Sequence, residues 1–275
     1  MLIGTLGSDI KNLITNLAFT SAKFLDESSI ENTILEIKNN KSRDVVTELD
    51  HILNKEIKDI INSTFPRALV ISEEDKVNNK LDYFNSLTFL IDPLDGSQNF
   101  SLGLPFYSSL ITVIKKKKII ASSNVTNFNH QIITWEKDSG LYSNVELGNI
   151  SQNGPSYFAY SPINNFESDQ ITFDILVNID TYSSGLYRWG SASNGLIELL
   201  NGRLQSFIGF KIRLWDCLGF LPILIDQNIH TAFKVDGLKI SLIASRDFDQ
   251  FNNLKNIFSK NRIILKDYQS PSEKI

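Results

Sequence analysis

Phe89-Leu90-Ile91-Asp92-Pro93-Leu94-Asp95-Gly96-Ser97-Gln98-Asn99-Phe100 is an apolar run that stops in two carboxylates, a proline and a glycine. The run reads as a buried strand, and strand ends that break into Asp and Gly are where α/β and layered αβ proteins place their chemistry. Two aspartates three apart on such a turn can converge on one point, where their repulsion is costly unless cations are present. Pro93 is expected to block continuation of the strand ladder and to stiffen the turn. Leu94 then sits in the bend, with its carbonyl available as a further oxygen ligand. Gly96 permits unusual dihedrals and the close approach of an anion. The amides of Gly96 and Ser97 open a short predicted helix, a ready anion site.

Working outward, Glu73-Glu74 follows a strand predicted over 68–72, and Asp92 and Asp95 follow one predicted over 88–91. If these strands are neighbours, three or four carboxylates project from one sheet edge. Oxygen donors in that number favour Mg²⁺, Mn²⁺ or Ca²⁺ over zinc. His51, His130 and His230 are scattered, so a histidine-based site has no support. Taken singly, an Asp-Pro-x-Asp-Gly turn or a Glu pair is ordinary surface chemistry. Their placement after consecutive apolar strands, with Asp216 following Trp215, favours a metal centre.

Apolar spacing predicts a helix, or a broken pair, over 2–37, with Asp26-Glu27-Ser28-Ser29 as the break. A second helix is predicted over 47–64, with Thr47 as N-cap and Asp50 completing a box-like arrangement. A hairpin reads as strands 108–114 and 119–125 around a 115–118 turn of four lysines, a solvated tip rather than an anion patch. A strand follows over 131–136 and ends near Gly140. Further β-like runs lie at 157–160, 171–179, 203–210 and 241–244. Gly190-Ser191-Ala192-Ser193 precedes a helix over 194–201 stopped by Gly202. Asp216 is expected at the N-cap or first turn of a helix reaching Asp226, and a last helix starts near Asp247. Two sheets interleaved with helices are the natural architecture.

At 275 residues and 42% hydrophobic content, the chain can form one large domain or two closely packed subdomains, 1–150 and 151–275. The net charge of −4 does not favour nucleic acid as a partner. One cysteine, Cys217, excludes an internal disulfide and suits a reducing compartment. Its place on an apolar helix marks it as a core residue rather than a nucleophile. No secretory leader or bilayer-spanning run is visible, so no membrane association and a cytoplasmic location are expected.

The residues Asp92-Pro93-Leu94-Asp95-Gly96-Ser97-Gln98-Asn99-Phe100 resemble the signature of the inositol monophosphatase family of Mg²⁺-dependent, lithium-sensitive phosphatases. That superfamily also includes fructose bisphosphatases and phosphoadenosine phosphate phosphatases. Val46-Thr47-Glu48-Leu49-Asp50, Ser72-Glu73-Glu74, Gly190-Ser191-Ala192 and Trp215-Asp216 resemble its other motifs in the expected order. The resemblance implies an α+β fold, a layered αβαβα sandwich of two sheets interleaved with helices. It also implies two or three Mg²⁺ per active site and a homodimer. Glu73, Asp92 and the Leu94 carbonyl then resemble the ligands of a first metal. Asp92, Asp95 and Asp216 resemble those of a second, and Glu73 serves a weaker third. Asp50 and Ser97 match a pair that orients and deprotonates the attacking water, Ser97 standing where threonine is commoner. Glu74 matches an acid near the metal waters. The Gly96 and Ser97 amides, with Gly190, Ser191 and Ala192, resemble the phosphate and substrate contacts. The implied reaction is hydrolysis of a small phosphorylated alcohol by metal-activated water, without a phosphoenzyme.

Two departures bear on the substrate. The glutamate that contacts ring hydroxyls in inositol monophosphatases aligns with Gly209, and the Gly-rich acidic segment after the following helix is replaced by Asp226-Gln227-Asn228-Ile229-His230. Lys211 and Arg213 add positive charge near Asp216, suited either to a second acidic substrate group or to a solvent-facing strand. Inositol monophosphate or a related sugar phosphate leads, with phosphoadenosine phosphate as the alternative. A regulatory, protein-binding member with little catalysis is a reading from a different class. A haloacid-dehalogenase-type loop does not fit, because its two aspartates are two apart and no proline intervenes.

Overall fold

The computed structural model describes residues 3–26, 34–37, 45–75, 84–148, 157–162, 177, 179 and 183–275. The chain forms two compact units, Met1–Val145 with Lys274–Ile275, and Glu146–Glu273.

The first unit is a six-stranded sheet in the order β3-β4-β5-β6-β7-β8, with two long helices on one face. Helix α1 (Ile3–Asp26) buries Ile10, Leu13, Ile14, Leu17 and Ala18 at helical spacing. It does not continue to residue 37. Residues Ile34–Ile37 form strand β1, antiparallel to β2 (Val45–Thr47), with all four side chains exposed. The β-branched Ile34 and Ile37 suit that pairing, and apolar spacing there mimicked a helix. Helix α2 (Glu48–Thr64) buries Leu49, Leu53, Ile57 and Ile61, a stripe repeating every four residues. Both stripes join one core with Phe89, Ile91, Leu94, Ile111, Val113 and Val125 from the sheet.

Strand β3 (Leu69–Ser72) lies parallel to β4 (Thr88–Asp95), so the two predicted strands are neighbours. Strand β4 runs four residues beyond its predicted end, straight through Pro93. Against antiparallel β5 (Ser108–Lys115), Asp92 is paired with Leu110 and Asp95 with Ser108. Three steps on β4 therefore face two on β5, a one-residue bulge. A bulge is where a residue lacking an N–H is tolerated inside a ladder, so Pro93 kinks the strand without ending it. Strand β5 turns into β6 (Lys118–Thr126) through Lys116 and Lys117 at φ 53° and 61°, the two-residue turn that matches strand twist. Strands β7 (Gln131–Glu136) and β8 (Gly140–Ser143) complete the sheet.

The second unit holds another six-stranded sheet in the order β10-β9-β11-β13-β12-β14. Its strands are β9 (Tyr157–Pro162), β10 (Gly185–Tyr187), β11 (Ser206–Arg213), β12 (His230–Asp236), β13 (Lys239–Ser245) and β14 (Lys266–Asp267). The strand expected over 171–179 lies outside the described residues, apart from Val177 and Ile179. Helix α4 (Ala192–Leu200) starts two residues before its predicted onset because Ser191 is the N-cap, its hydroxyl accepting from Asn194 N–H; α3 is the short helix Ser97–Ser101. Strand β11 begins later than predicted and carries its own bulge between Gly209 and Ile212, with Lys211 at φ 48°. Helix α5 (Leu221–Asp226) follows, and α6 (Phe248–Lys260) is capped by Asp247, which accepts from Gln250 N–H at 2.7 Å. Among the described residues no helix is long and apolar enough to cross a membrane.

Candidate functional site

In the first unit the site grows from the end of β4. Phe89, Ile91 and Leu94 all join the helix-side core, whereas Leu90 does not. In an unbroken strand Leu94 would share the face of Leu90 and Asp92, since side chains alternate with period two. The bulge inverts that parity and puts Asp95 back on the Asp92 face. Asp92 and Asp95 are both buried, at 1% and 9% exposure. Parallel β3 delivers the acidic pair alongside: Glu73 N–H donates to the Ile91 carbonyl at 3.1 Å, extending the ladder by one residue. Glu73 and Asp92 then offer carboxylate oxygens within 4.8 Å of one another. Glu74, next in the turn, donates its N–H to Ser72 Oγ.

Asp50 enters from the first turn of α2. Its Oδ2 accepts from Thr47 N–H at 2.7 Å and from Thr47 Oγ1 at 2.5 Å, so the carboxylate that closes the capping box is the one predicted to serve water. Its other oxygen, Oδ1, lies 2.7 Å from Ser97 Oγ. The same hydroxyl lies 2.8 Å from the Leu94 carbonyl, and its single proton goes to one acceptor at a time. Burial pushes the Asp50 carboxyl above its ordinary value; the Thr47 and Ser97 hydrogen bonds oppose the rise, and the nearby Glu74 charge adds to it. Gly96 adopts φ 98° and starts α3, whose first residue is Ser97. That left-handed turn is open to glycine at little cost.

The structure thus brings together Asp50, Ser97 and Leu94, and separately Glu73 with Asp92, all in the first unit. The box read from the sequence pairs Thr47 with Asp50, and the structure adds that the Thr47 hydroxyl donates to the same carboxylate oxygen. In the second unit, Asp216 sits in a turn after β11, ahead of a 3-10 turn at Leu218–Phe220. It is not the expected N-cap. The turn is closed by Cys217 and Leu218 N–H groups donating to the Leu214 carbonyl, and α5 begins only at Leu221, where Pro222 presets the first helical turn. Gly190 has φ 74°, Ser191 caps α4, and Ala192 is its first residue. Ser191 Oγ is engaged by Asn194 Nδ2 at 2.8 Å and lies 3.0 Å from Ser193 Oγ.

The positions that depart from the resemblance also have a physical account. A Cβ at Gly209 would sit 2.7 Å from Ile212 Cδ1 and 3.1 Å from Phe207 Cε1, so the bulge leaves no room for a side chain there without movement of Ile212. Lys211 and Arg213 are both exposed, with Lys211 Nζ 5.3 Å from the Phe210 ring centre and the Arg213 guanidinium 5.5 Å from that of Trp215.

The donor set fits a hard divalent cation: clustered carboxylates, a backbone carbonyl at hand, and no histidine or thiol among them. The model of the inositol monophosphatase family matches residues 8–228, and the chain belongs to that family. The chain is 25% identical over 178 residues to Nus factor SuhB of Haemophilus influenzae, covering 63% of this chain and 66% of that one. It is 24% identical over 191 residues to inositol monophosphatase 2 of Saccharomyces cerevisiae, covering 64% and 65%. It therefore spans just under two thirds of the length of these curated relatives. Others at similar identity are named fructose-1,6-bisphosphatase/inositol-1-monophosphatase, from Thermotoga maritima, and histidinol-phosphatase, from Chlorobaculum parvum. The fold is that of the extragenic suppressor protein SuhB of Bartonella henselae, with a TM-score of 0.74, 20% identity, and 90% of this chain and 98% of that chain covered.

Proposed function

We propose that this chain is a Mg²⁺-dependent phosphomonoesterase acting on a small phosphorylated alcohol, with an inositol monophosphate or related sugar phosphate as the leading substrate. The observation that carries this reading is the Asp50–Ser97 hydrogen bond at 2.7 Å beside a carboxylate cluster that no acid-base role alone would require.

Glu73, Asp92, Asp95 and the Leu94 carbonyl would hold the cations, and Asp216 is the further carboxylate proposed as a ligand. Bound there, they would supply Lewis-acid charge stabilisation to the phosphate and lower the pKa of nearby water. Ser97 Oγ orients a water molecule by accepting its proton while donating its own to Asp50. Thr47 fixes the Asp50 carboxylate through two hydrogen bonds, so Oδ1 stays aimed at Ser97. Glu74 keeps the local field negative and favours proton uptake by Asp50. The Gly96 and Ser97 amides, with the Gly190-Ser191-Ala192 turn, are the proposed phosphate contacts. Lithium sensitivity, a homodimer and a cytoplasmic setting belong to the same reading.

The test is phosphate release with Mg²⁺ from a panel of inositol monophosphates, sugar phosphates, histidinol phosphate and phosphoadenosine phosphate. Release from the polyol phosphates that disappears with Asp92→Asn is expected. Release from none of them, or release indifferent to that substitution, would refute the proposal. A preference for phosphoadenosine phosphate would move the assignment to the nucleotidase branch.

A further inference from the structure

Between α1 and the β7–β8 hairpin lies a cleft of about 360 Å³, within the first unit. That volume falls in the range of pockets that bury a small molecule, about 300–1,000 Å³. Helix α1 runs antiparallel to β7: Gly7 at one end lies near Asp138, and Asp26 at the other meets His130 at 2.6 Å. Lys11 therefore stands at the Glu136 end of the cleft, and Ala18 and Phe19 at the Ile132 end.

The two ends differ in chemistry. Ile132 belongs to the helix-side core, so by strand alternation Thr134 and Glu136 face the cleft as well. On β8 their cross-strand partners are Tyr142 and Gly140. A Cβ at Gly140 would meet nothing within 4 Å, which leaves open space directly beside Glu136. Glu136 is only 9% exposed, and its Oε2 accepts from Asp138 N–H at 3.1 Å. Among the described residues no lysine, arginine or histidine forms an ion pair with it. That single hydrogen bond leaves the carboxylate acceptor capacity to meet a cation or donor entering the open space beside it. The other end is apolar, with Ile14, Ala18 and Ile132 buried beneath Phe19 and Tyr142, which are 59% and 55% exposed.

We propose that this cleft binds a small zwitterion with an apolar body, the chemistry of a free aromatic amino acid. Its ammonium meets Glu136, its carboxylate meets Lys11, and its ring lies between Phe19 and Tyr142. The assignment is independent of the carboxylate site on β4.

The test is calorimetric titration of the whole protein with three probes: phenylalanine, phenethylamine, which lacks the carboxylate, and phenylpropionate, which lacks the ammonium. Phenylalanine should bind most tightly. Glu136→Gln keeps the Asp138 hydrogen bond and should weaken phenylalanine about tenfold or more, as expected for loss of a charge-assisted contact. Lys11→Gln should weaken phenylalanine and phenylpropionate while leaving phenethylamine unchanged. Tyr142→Ala, at an exposed position, should weaken all three with an unaltered circular dichroism spectrum. Asp92→Asn should leave phenylalanine binding intact. No saturable phenylalanine binding, equal affinity in Glu136→Gln or in Tyr142→Ala, or loss of binding in Asp92→Asn would each overturn the assignment.

Discussion

Ser97→Ala removes one hydroxyl and tests the proton path from both ends. The hydroxyl lies 2.7 Å from Asp50 Oδ1 and 2.8 Å from the Leu94 carbonyl. Ser97 opens a five-residue helix, and alanine there adds no backbone cost. What remains is a hydrogen bond to a buried carboxylate, about 1.5–3 kcal/mol when the acceptor is charged and about 0.5–1.5 kcal/mol when it is neutral. Asp50 already titrates above its ordinary value because burial penalises its charge, and Ser97 is one of the bonds holding that rise in check. A carboxyl with a raised folded pKa binds its proton more tightly in the native state, so its contribution to stability falls as pH rises from the unfolded value through the folded one. Ser97→Ala raises the folded value further and extends this window upward. Urea titrations of the metal-free protein should therefore show a stability gap that is largest at neutral pH and narrows in acid. In the activity assay, loss of the oriented hydroxyl should lower kcat by about 100-fold or more, the range of positioned acid-base groups. Ser97→Thr, which restores the hydroxyl and adds a methyl, should recover most of it. Wild-type turnover in Ser97→Ala, or a stability gap independent of pH, would refute the reasoning.

Asp92→Asn should abolish the rise in Tm on adding Mg²⁺, which for the parent protein at a hundredfold excess over Kd corresponds to about 2.7 kcal/mol; an undiminished rise would place the cation elsewhere. Gly209→Ala should cost about 1–3 kcal/mol in urea unfolding, because its new Cβ overlaps Ile212 Cδ1 at 2.7 Å. Adding Ile212→Val removes that atom, so the double variant should be more stable than additivity predicts, and strict additivity would be the contrary result. Lys116→Asn with Lys117→Gly relieves two left-handed lysines at φ 53° and 61° and should raise the unfolding free energy by about 1 kcal/mol, read as a higher urea midpoint at constant slope. An unchanged or lower midpoint would show that the lysines are not strained there.

What the sequence disclosed was what local chemistry dictates. The capped start of α2, the strands β3 and β4, the lysine-tipped hairpin and a helix beginning near Asp247 were each visible as a residue pattern, whereas the parallel pairing of β3 with β4 was not. Strands β8, β10, β12 and β14 were not. Gly140–Ser143, Gly185–Tyr187 and Lys266–Asp267 are edge or short strands whose pairing is decided by partners distant in sequence. His230–Asp236 opens in a polar stretch that reads as a loop until β13 pairs with it. The same limit hid β1, whose apolar residues matched a helical period and took their conformation from β2. At the candidate site, Asp50, Glu73, Asp92, Asp95 and Ser97 stood out in the sequence as residues to examine. The path of β4 through Pro93 could not, because a bulge depends on register with a second strand.

That bulge explains why the signature has the spacing it has. Two carboxylates on one face of an ordinary strand would be two or four residues apart, and three apart they would face opposite ways. One inserted residue between Asp92 and Asp95 restores a shared face and at the same time sends Leu94 into the helix-side core, where it is 1% exposed. Proline is suited to the insertion because a bulged strand leaves a ladder position that needs no N–H. The second unit repeats the device: β11 gains one residue against β13 between Gly209 and Ile212, shortly before the turn that carries Asp216. Bulges of this kind re-aim side chains next to active sites. In the first unit the two carboxylates flank the displaced register within β4, and in the second Asp216 follows the displaced strand β11. Straightening the bulge with Pro93 kept in the chain would return Asp95 to the apolar face and Leu94 to the carboxylate face. Deleting Pro93 leaves the two aspartates two apart and still on one face, so the inserted residue and the bulge must go together.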